Sequence, residues 1–165
     1  MLFVFGGSFD PFHEGHLGVL AELAKQGCES ILIAPTLKNP WKNSDPAPLD
    51  LRLQMAELVL QSENIAYSRE LGAPGVVLSD FPYIYVVALV HHLHSRGFEE
   101  LTWVVGPDLK SRVEEWKDWK KLDIKLYVAS LHADDTRSER IRSGMSQAHP
   151  AIREFIVKHN LYNSL

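Results

Sequence analysis

Short apolar runs alternate along the chain with stretches whose apolar residues recur at helical spacing. Leu2-Phe-Val-Phe5 is stopped by Gly6-Gly7, the pattern of a strand buried on both faces. Over residues 13–26, Leu17, Leu20, Ala21 and Ala24 share one side of a predicted helix that Gly27 can end. Residues 30–34 predict a second buried strand and residues 35–48 a loop rich in Pro, Asn and Ser. Residues 50–61 predict a helix with Leu49, Leu53, Ala56 and Leu60 on one side. A strand over 64–70, a Gly/Pro loop over 72–80 and a helix over 83–95 follow. Residues 101–105 predict a strand closed by Gly106-Pro107, 113–122 a short helix carrying Trp116 and Trp119, and 124–130 the fifth strand. The remainder reads as helical over 138–159. Strands alternating with helices predict an α/β domain, a parallel sheet of about five strands with helices on both faces. Ligands of such sheets sit beyond the carboxyl ends of the strands, here in the loops after Phe5, Ala34, Val105 and Ser130.

Composition narrows the classes. A chain of 165 residues is expected to form one domain, residues 1–165, with a core large enough to need no metal or disulfide. The net charge of -4 argues against a duplex nucleic-acid binder. A lone cysteine, Cys28, suits a reducing compartment. No apolar run reaches the ~20 residues of a membrane helix, and the chain opens on a strand without a basic leader. The expectation is a soluble cytoplasmic protein with no membrane and no nucleic-acid partner, for which a homo-oligomer stays open.

The candidate chemistry lies after the first strand, in Gly6-Gly7-Ser8-Phe9-Asp10-Pro11-Phe12-His13-Glu14-Gly15-His16. Two glycines permit a tight turn and close backbone approach to a ligand. The helix that follows offers unpaired N–H groups to an anion such as phosphate. His13 and His16, three apart in the first turn, can face that same anion. A glycine pair alone is an ordinary turn. The metalloprotease zinc pattern needs histidines at i and i+4, not i and i+3, and no Gly-Lys-Ser/Thr marks a P-loop. The reading is a phosphate site without a protein-held metal.

The run from Gly6 to Leu17 resembles the signature of the His-x-Gly-His nucleotidyltransferase superfamily. That resemblance implies a Rossmann-like fold and transfer of a nucleotidyl group to a phosphate with loss of pyrophosphate. Asn39-Pro-Trp-Lys42, Trp103-Val-Val-Gly-Pro-Asp108, Trp116-Lys-Asp-Trp119 and the closing Leu161-Tyr162 are similar to segments of the bacterial nicotinate mononucleotide adenylyltransferases. That family's second motif, Ile-Ser-Ser-Thr-x-Ile-Arg, matches residues 136–142, so that Ser138 and Arg142 fall on its second Ser and its Arg. Arg137 and Glu139 replace the first Ser and the Thr, and Tyr83-Ile84 stands where the family has Tyr-Thr near the pyridine ring.

What the resemblance implies is an enzyme whose substrates are ATP and a pyridine mononucleotide, with Mg²⁺ carried by the triphosphate. It assigns catalysis to His13, His16, Lys42 and Arg142, and nucleotide binding to Gly6, Gly7, Ser8, Phe9, Gly106, Asp108, Trp116 and Ser138. Ser8 would hold the acceptor phosphate, Lys42 and Arg142 the triphosphate, Asp108 nucleotide hydroxyl or base groups, and Trp116 the pyridinium face, with Trp119 packed inside. Taken alone, Lys42 and Arg142 are solvated surface charges, Asp108 a helix cap and His91, His92 and His94 surface residues. Arg142 is chosen over Arg140 because Ile141 and Met145 are expected to face the core around it. Two alternatives remain. One is a related enzyme acting on phosphopantetheine or a cytidylyl acceptor, and the other a catalytically weak nucleotide-binding regulatory module.

Overall fold

In the computed structural model, which describes residues 1–130 and 137–163, the strands are β1 (Leu2–Gly7), β2 (Ser30–Pro35), β3 (Tyr67–Ser68), β4 (Gly75–Leu78), β5 (Leu101–Val105) and β6 (Lys125–Val128). The helices are α1 (Glu14–Lys25), α2 (Leu49–Ser62), α3 (Val86–Ser95), α4 (Ser138–Arg142) and α5 (Pro150–Lys158). All strand pairs are parallel, in the order β3-β4-β2-β1-β5-β6. β1 lies between β2 and β5, with Phe3 opposite Ile31 on one side and Thr102 on the other.

Strand alternation sends neighbouring side chains to opposite faces. Phe5, Ile31 and Ile33 join a core with α1, α2, α4 and α5, built on Leu20, Leu23, Leu53, Ile141 and Ile152. Leu2, Val4, Leu32 and Ala34 join a second core with α3 through Leu89, Val90 and Leu93. The chain runs outward from β1 to the β3–β4 edge and then returns to place β5 on the other side of β1. The crevice beyond Gly7 and Val105 is thus the switch point at which such sheets bind ligands.

The structure corrects several expectations. The loop expected over 72–80 contains β4, because Val77 and Leu78 find a buried parallel place beside β2 that three apolar residues do not announce locally. The strand expected over 64–70 shrinks to β3, and the buried stripe of α1 is Val19, Leu20 and Leu23, with Ala21 and Ala24 exposed. The helix expected from residue 83 begins at Val86, since Tyr83 is held outside it by its hydroxyl on the Ala34 carbonyl (2.7 Å). The helix expected over 113–122 is two 3-10 turns, Val113–Glu115 and Trp119–Lys121, parted by extended Trp116 (ψ 143°) and left-handed Asp118 (φ 58°). The helical remainder divides into α4 and α5, with left-handed Gly144 (φ 75°) between them and Pro150 opening α5. Met145 consequently lies 66% exposed, not against the core.

One buried charge fastens the loops to this frame. Arg52 of α2 is 1% exposed. Its Nε donates to the Ala47 carbonyl (2.7 Å), Nη1 to Ser8 (2.6 Å) and Nη2 to Leu37 (3.2 Å). Burial pulls the guanidinium's pKa down, and the nearby Asp10 opposes that shift.

Replacing Arg52 by Met should remove about 3–5 kcal/mol of stability, because inward carbonyls and the Asp10 charge lose their partner. Chemical denaturation checks this, and Arg52→Lys should recover only part of the loss because an ammonium lacks the three-way fork.

Candidate active site

The loop after β1 is bent by Phe9, at φ 46°, a left-handed backbone that costs a non-glycine residue roughly 1 kcal/mol or more. Packing holds it there. The Phe9 ring meets Phe5 edge-on (5.2 Å between centroids) and stacks with Phe12 (5.7 Å), and the same rings enclose the His16 imidazole. Gly6 is required because a Cβ there would overlap the Trp103 indole.

His13 is the N-cap of α1, its Nδ1 accepting from the Gly15 N–H (3.0 Å). The His13 N–H in turn donates to Nδ1 of His16 (3.1 Å). The two imidazoles stack at 3.7 Å between centroids. Because each Nδ1 accepts a backbone proton, each neutral ring carries its own proton on Nε2. Burial lowers the pKa of His13 to about 4. Burial, and then the proximity of His13, hold His16 well below the ordinary histidine range. The pair is therefore two neutral Nε2–H donors. As such donors they can hydrogen-bond an anion without adding charge to the site.

Both histidines border a cleft of about 460 Å³ at the switch point. Gly6, Gly7, Ser8 and Phe9 form its floor side, and Tyr83, Ile84, Trp103 and Trp116 give it an aromatic, apolar end. Trp116 meets Trp103 edge-to-face (6.3 Å), and Trp119, behind Trp116 (5.5 Å), packs against the second core. Trp41 stands 58% exposed at the rim. Asp108 borders the cleft opposite Arg137 (3.7 Å), and a Cβ on Gly106 would sit 2.8 Å from its carboxylate.

A smaller cavity of about 10 Å³ adjoins the cleft through Ser8, Asn39 and Lys42, and Asp10 and Arg142 complete it. Burial and the nearby Arg142 lower the Lys42 pKa, against the pull of Asp10 and Glu139. Arg142 donates from Nη1 to the Asp10 carbonyl (2.7 Å), and Ser138 Oγ donates to the Pro11 carbonyl (2.9 Å), so both residues seat α4 on the signature loop. Arg140 turns instead toward Ser146 (3.4 Å). Thr136, first residue of the second-motif stretch, lies outside the described residues. His91 and His94 are exposed, and His92 stacks on Phe81 (3.9 Å) away from the cleft.

Sequence reasoning passed over Arg52, and it met Asp10, Trp103 and Tyr162 only inside longer segments, with no role of their own. Asp10 had a signal, a carboxylate inside the signature loop. Tyr162, far along the chain, donates to Asp10 Oδ1 at 2.7 Å.

The sequence model of the cytidylyltransferase-like family matches residues 4–145. A protein of Ruegeria pomeroyi described as a probable nicotinate-nucleotide adenylyltransferase is 31% identical, over 88% of this chain and 64% of its own length. One of Methylacidiphilum infernorum with the same description is 33% identical, over 73% and 58% respectively. The chain thus spans less than two thirds of these relatives. The solved nicotinic acid mononucleotide adenylyltransferase of Plasmodium falciparum, complexed with NaAD, superposes with a TM-score of 0.78 at 17% identity, covering 99% of this chain and 98% of that one. A bifunctional NMN adenylyltransferase/ADP ribose pyrophosphatase of Francisella tularensis gives 0.56 at 19% identity, covering 87% of this chain and 42% of that one. These two likenesses show a shared fold.

The buried neutral histidines make stability depend on pH. Below about 6.5 the unfolded chain takes up protons that the folded chain refuses, so stability is complete above that value and declines as pH falls toward 4. The His13 imidazole contributes about 1 kcal/mol of loss between pH 6.5 and 5.5, and His16 acts in the same direction. Denaturant unfolding at those two pH values should show His16→Gln, which keeps an acceptor but no titration, losing less stability than wild type.

Proposed function

The chain belongs to the cytidylyltransferase-like family, and from that premise we propose that it joins ATP to nicotinate or nicotinamide mononucleotide, releasing pyrophosphate and forming a dinucleotide of NAD biosynthesis. The observation that carries this reading is the stacked His13–His16 pair, fixed as Nε2–H donors at the start of α1 on the cleft that Lys42 also borders, with Arg142 in the adjoining cavity. The description of the Ruegeria and Methylacidiphilum relatives supports the choice of acceptor. We take residues 1–165 as one catalytic domain working in the cytoplasm. Among the described residues no helix is long and apolar enough to cross a membrane.

The mononucleotide phosphate is already an anion at neutral pH, so no side chain has to act as nucleophile. One of its oxygens attacks the α-phosphorus of ATP in line, and pyrophosphate departs. The protein's task is to align two polyanions and to stabilise charge on the transferring group. Ser8 and the N–H groups at the turn receive the acceptor phosphate, and Lys42 and Arg142 the leaving pyrophosphate. The Nε2–H groups of His13 and His16 donate to the α-phosphoryl oxygens as their charge grows. Trp116 stacks on the pyridine ring, and Asp108 accepts from nucleotide hydroxyl or base groups. A magnesium ion brought in with ATP would neutralise part of the triphosphate charge. Among the described residues no three His, Cys, Asp or Glu side chains cluster to hold an ion.

One observation favours the reading of a weak nucleotide-binding module. Glu139 borders the cleft and lies close enough to Lys42 to oppose the fall in its pKa that burial and Arg142 cause, placing a carboxylate where phosphates would come. Pyrophosphate release from ATP with nicotinate mononucleotide, nicotinamide mononucleotide and phosphopantetheine in turn separates the readings. Release with a pyridine mononucleotide supports the proposal, release with phosphopantetheine alone moves the chain to the related enzyme, and ATP binding without release supports the module.

His16→Ala and Arg142→Ala should each lower turnover by about 10²–10⁴-fold, the usual scale for a positioned charge-stabilising group. Arg140→Ala should stay within a few-fold of wild type in the same assay. Trp116→Ala should raise the KM for the mononucleotide about tenfold to a hundredfold, as loss of one stacked ring does, and leave that for ATP nearly unchanged.

A further inference from the structure

Asp10 is 4% exposed and its two carboxylate oxygens have different company. Oδ1 accepts from the Tyr162 hydroxyl (2.7 Å) and from the Ala47 N–H (3.3 Å). Oδ2 lies 3.9 Å from Arg142 Nη1, which gives its short hydrogen bond to the Asp10 carbonyl instead (2.7 Å). A carboxylate and a guanidinium left to themselves settle into a two-point pair that uses both oxygens. Here one oxygen is occupied by neutral donors, so the ion pair stays long and one-sided. The guanidinium meanwhile borders the cavity it shares with Ser8 and Lys42.

We infer that Tyr162 is a positioning residue of the nucleotide site, whose hydroxyl holds one oxygen of Asp10 and so keeps Arg142 available to phosphate. The inference rests on the triphosphate role proposed above for Arg142. The placement of Tyr162 supports it. Leu161 beside it is buried in the core that also holds Phe9, Phe12 and Ile141, and Tyr162 itself adopts φ 58°. A tyrosine takes that left-handed backbone only where its surroundings hold it. The neighbouring cations Arg52 and Arg142 oppose the rise in its pKa that burial and Asp10 cause, and the phenol stays a donor at neutral pH. A tyrosine 152 residues beyond Asp10 thereby sets how the second motif presents its Arg142.

The test is a double-mutant cycle of Tyr162→Phe and Arg142→Ala in the full chain. It is read as the KM for ATP, the KM for the mononucleotide, and the affinity of tripolyphosphate by calorimetry. Tyr162→Phe should raise the KM for ATP and weaken tripolyphosphate roughly tenfold, the scale of one hydrogen bond to a charged group, while the KM for the mononucleotide stays within about twofold. In the Arg142→Ala background the same substitution should change neither by more than about twofold, because the residue it acts through is gone. Equal losses for both substrates, or additive losses in the double variant, would make Tyr162 a merely structural residue and overturn the inference. If Arg142→Ala leaves ATP and tripolyphosphate unaffected, the triphosphate role of Arg142 falls and the inference falls with it. If Arg142→Ala weakens them and Tyr162→Phe does not, only the inference falls. The tripolyphosphate titration needs no turnover, so it reads the site even where the variant's chemistry is slow.

Discussion

A buried guanidinium decides where the loops of the cleft can lie. Peptide carbonyls turned away from water need donors, and a long loop with little regular structure supplies few of its own. Arg52 meets this need for three of them, Ser8 from the loop after β1 and Leu37 and Ala47 from the loop after β2. It reaches them from the first turn of α2, whose apolar side is locked into the core through Leu53, Ala56 and Leu60. The rigid element thus transmits its position to both loops at once. Those loops carry Ser8, Asp10 and Lys42, and Asp10 in turn receives α4 through Arg142 and the chain end through Tyr162. Elements far apart in sequence are registered against one another by hydrogen bonds that converge on the signature loop.

The electrostatics separates permanent charge from hydrogen bonding. Lys42 and Arg142 stay near Asp10 and Glu139, so the resting cavity is not an unopposed positive hole. His13 and His16 are kept neutral by burial and by backbone N–H groups on their Nδ1 atoms. Only interactions that strengthen in the transition state accelerate a reaction. In the proposed reaction a pre-aimed donor pair would meet that condition with little reorganisation. The chain's overall charge of -4 bears little on a site governed by groups at this range.

What the sequence made legible was whatever is local. β1, β2 and β5 are continuous apolar runs, and His13 and His16 sit in one helical turn where spacing alone sets them side by side. Short strands were harder, since β4 exists because β2 offers it a ladder and not because Val76-Val77-Leu78 is a long β-former. Tyr83, Ile84 and Tyr85 read as helix by composition. They stay outside the helix because a hydroxyl found a carbonyl 49 residues away, and that displacement leaves Tyr83 and Ile84 lining the cleft. Arg52 and Tyr162 carried no local signal of their roles, for the partners that define them lie as far as 44 and 152 residues away. Resemblance placed Arg142 and Ser138 in register, but it is the Asp10 and Pro11 carbonyls that give the register a physical cause.

Part of the local strain and of the unmet polar groups lies at or near the same cleft. Phe9 and Tyr162 hold left-handed backbones, each costing on the order of 1–3 kcal/mol. Among the described residues, the buried polar side-chain atoms without a hydrogen bond include Thr36 Oγ1 and Trp103 Nε1, both in residues that border the cleft. Each such atom costs roughly 1–3 kcal/mol. The two imidazoles add their resistance to protonation. Away from the cleft the sheet shows fewer such compromises, with Leu32, Ile33 and Val104 wholly buried among apolar neighbours. A core of that kind gains stability steeply with each apolar side chain it covers. It can therefore hold a loop in an orientation the loop would not choose, and a loop so held keeps its donors aimed before any substrate arrives. The wide division between an apolar sheet and a strained polar edge is thus the means by which this fold stores preorganisation, and Arg52, Asp10 and Trp103 stand on the line between the two.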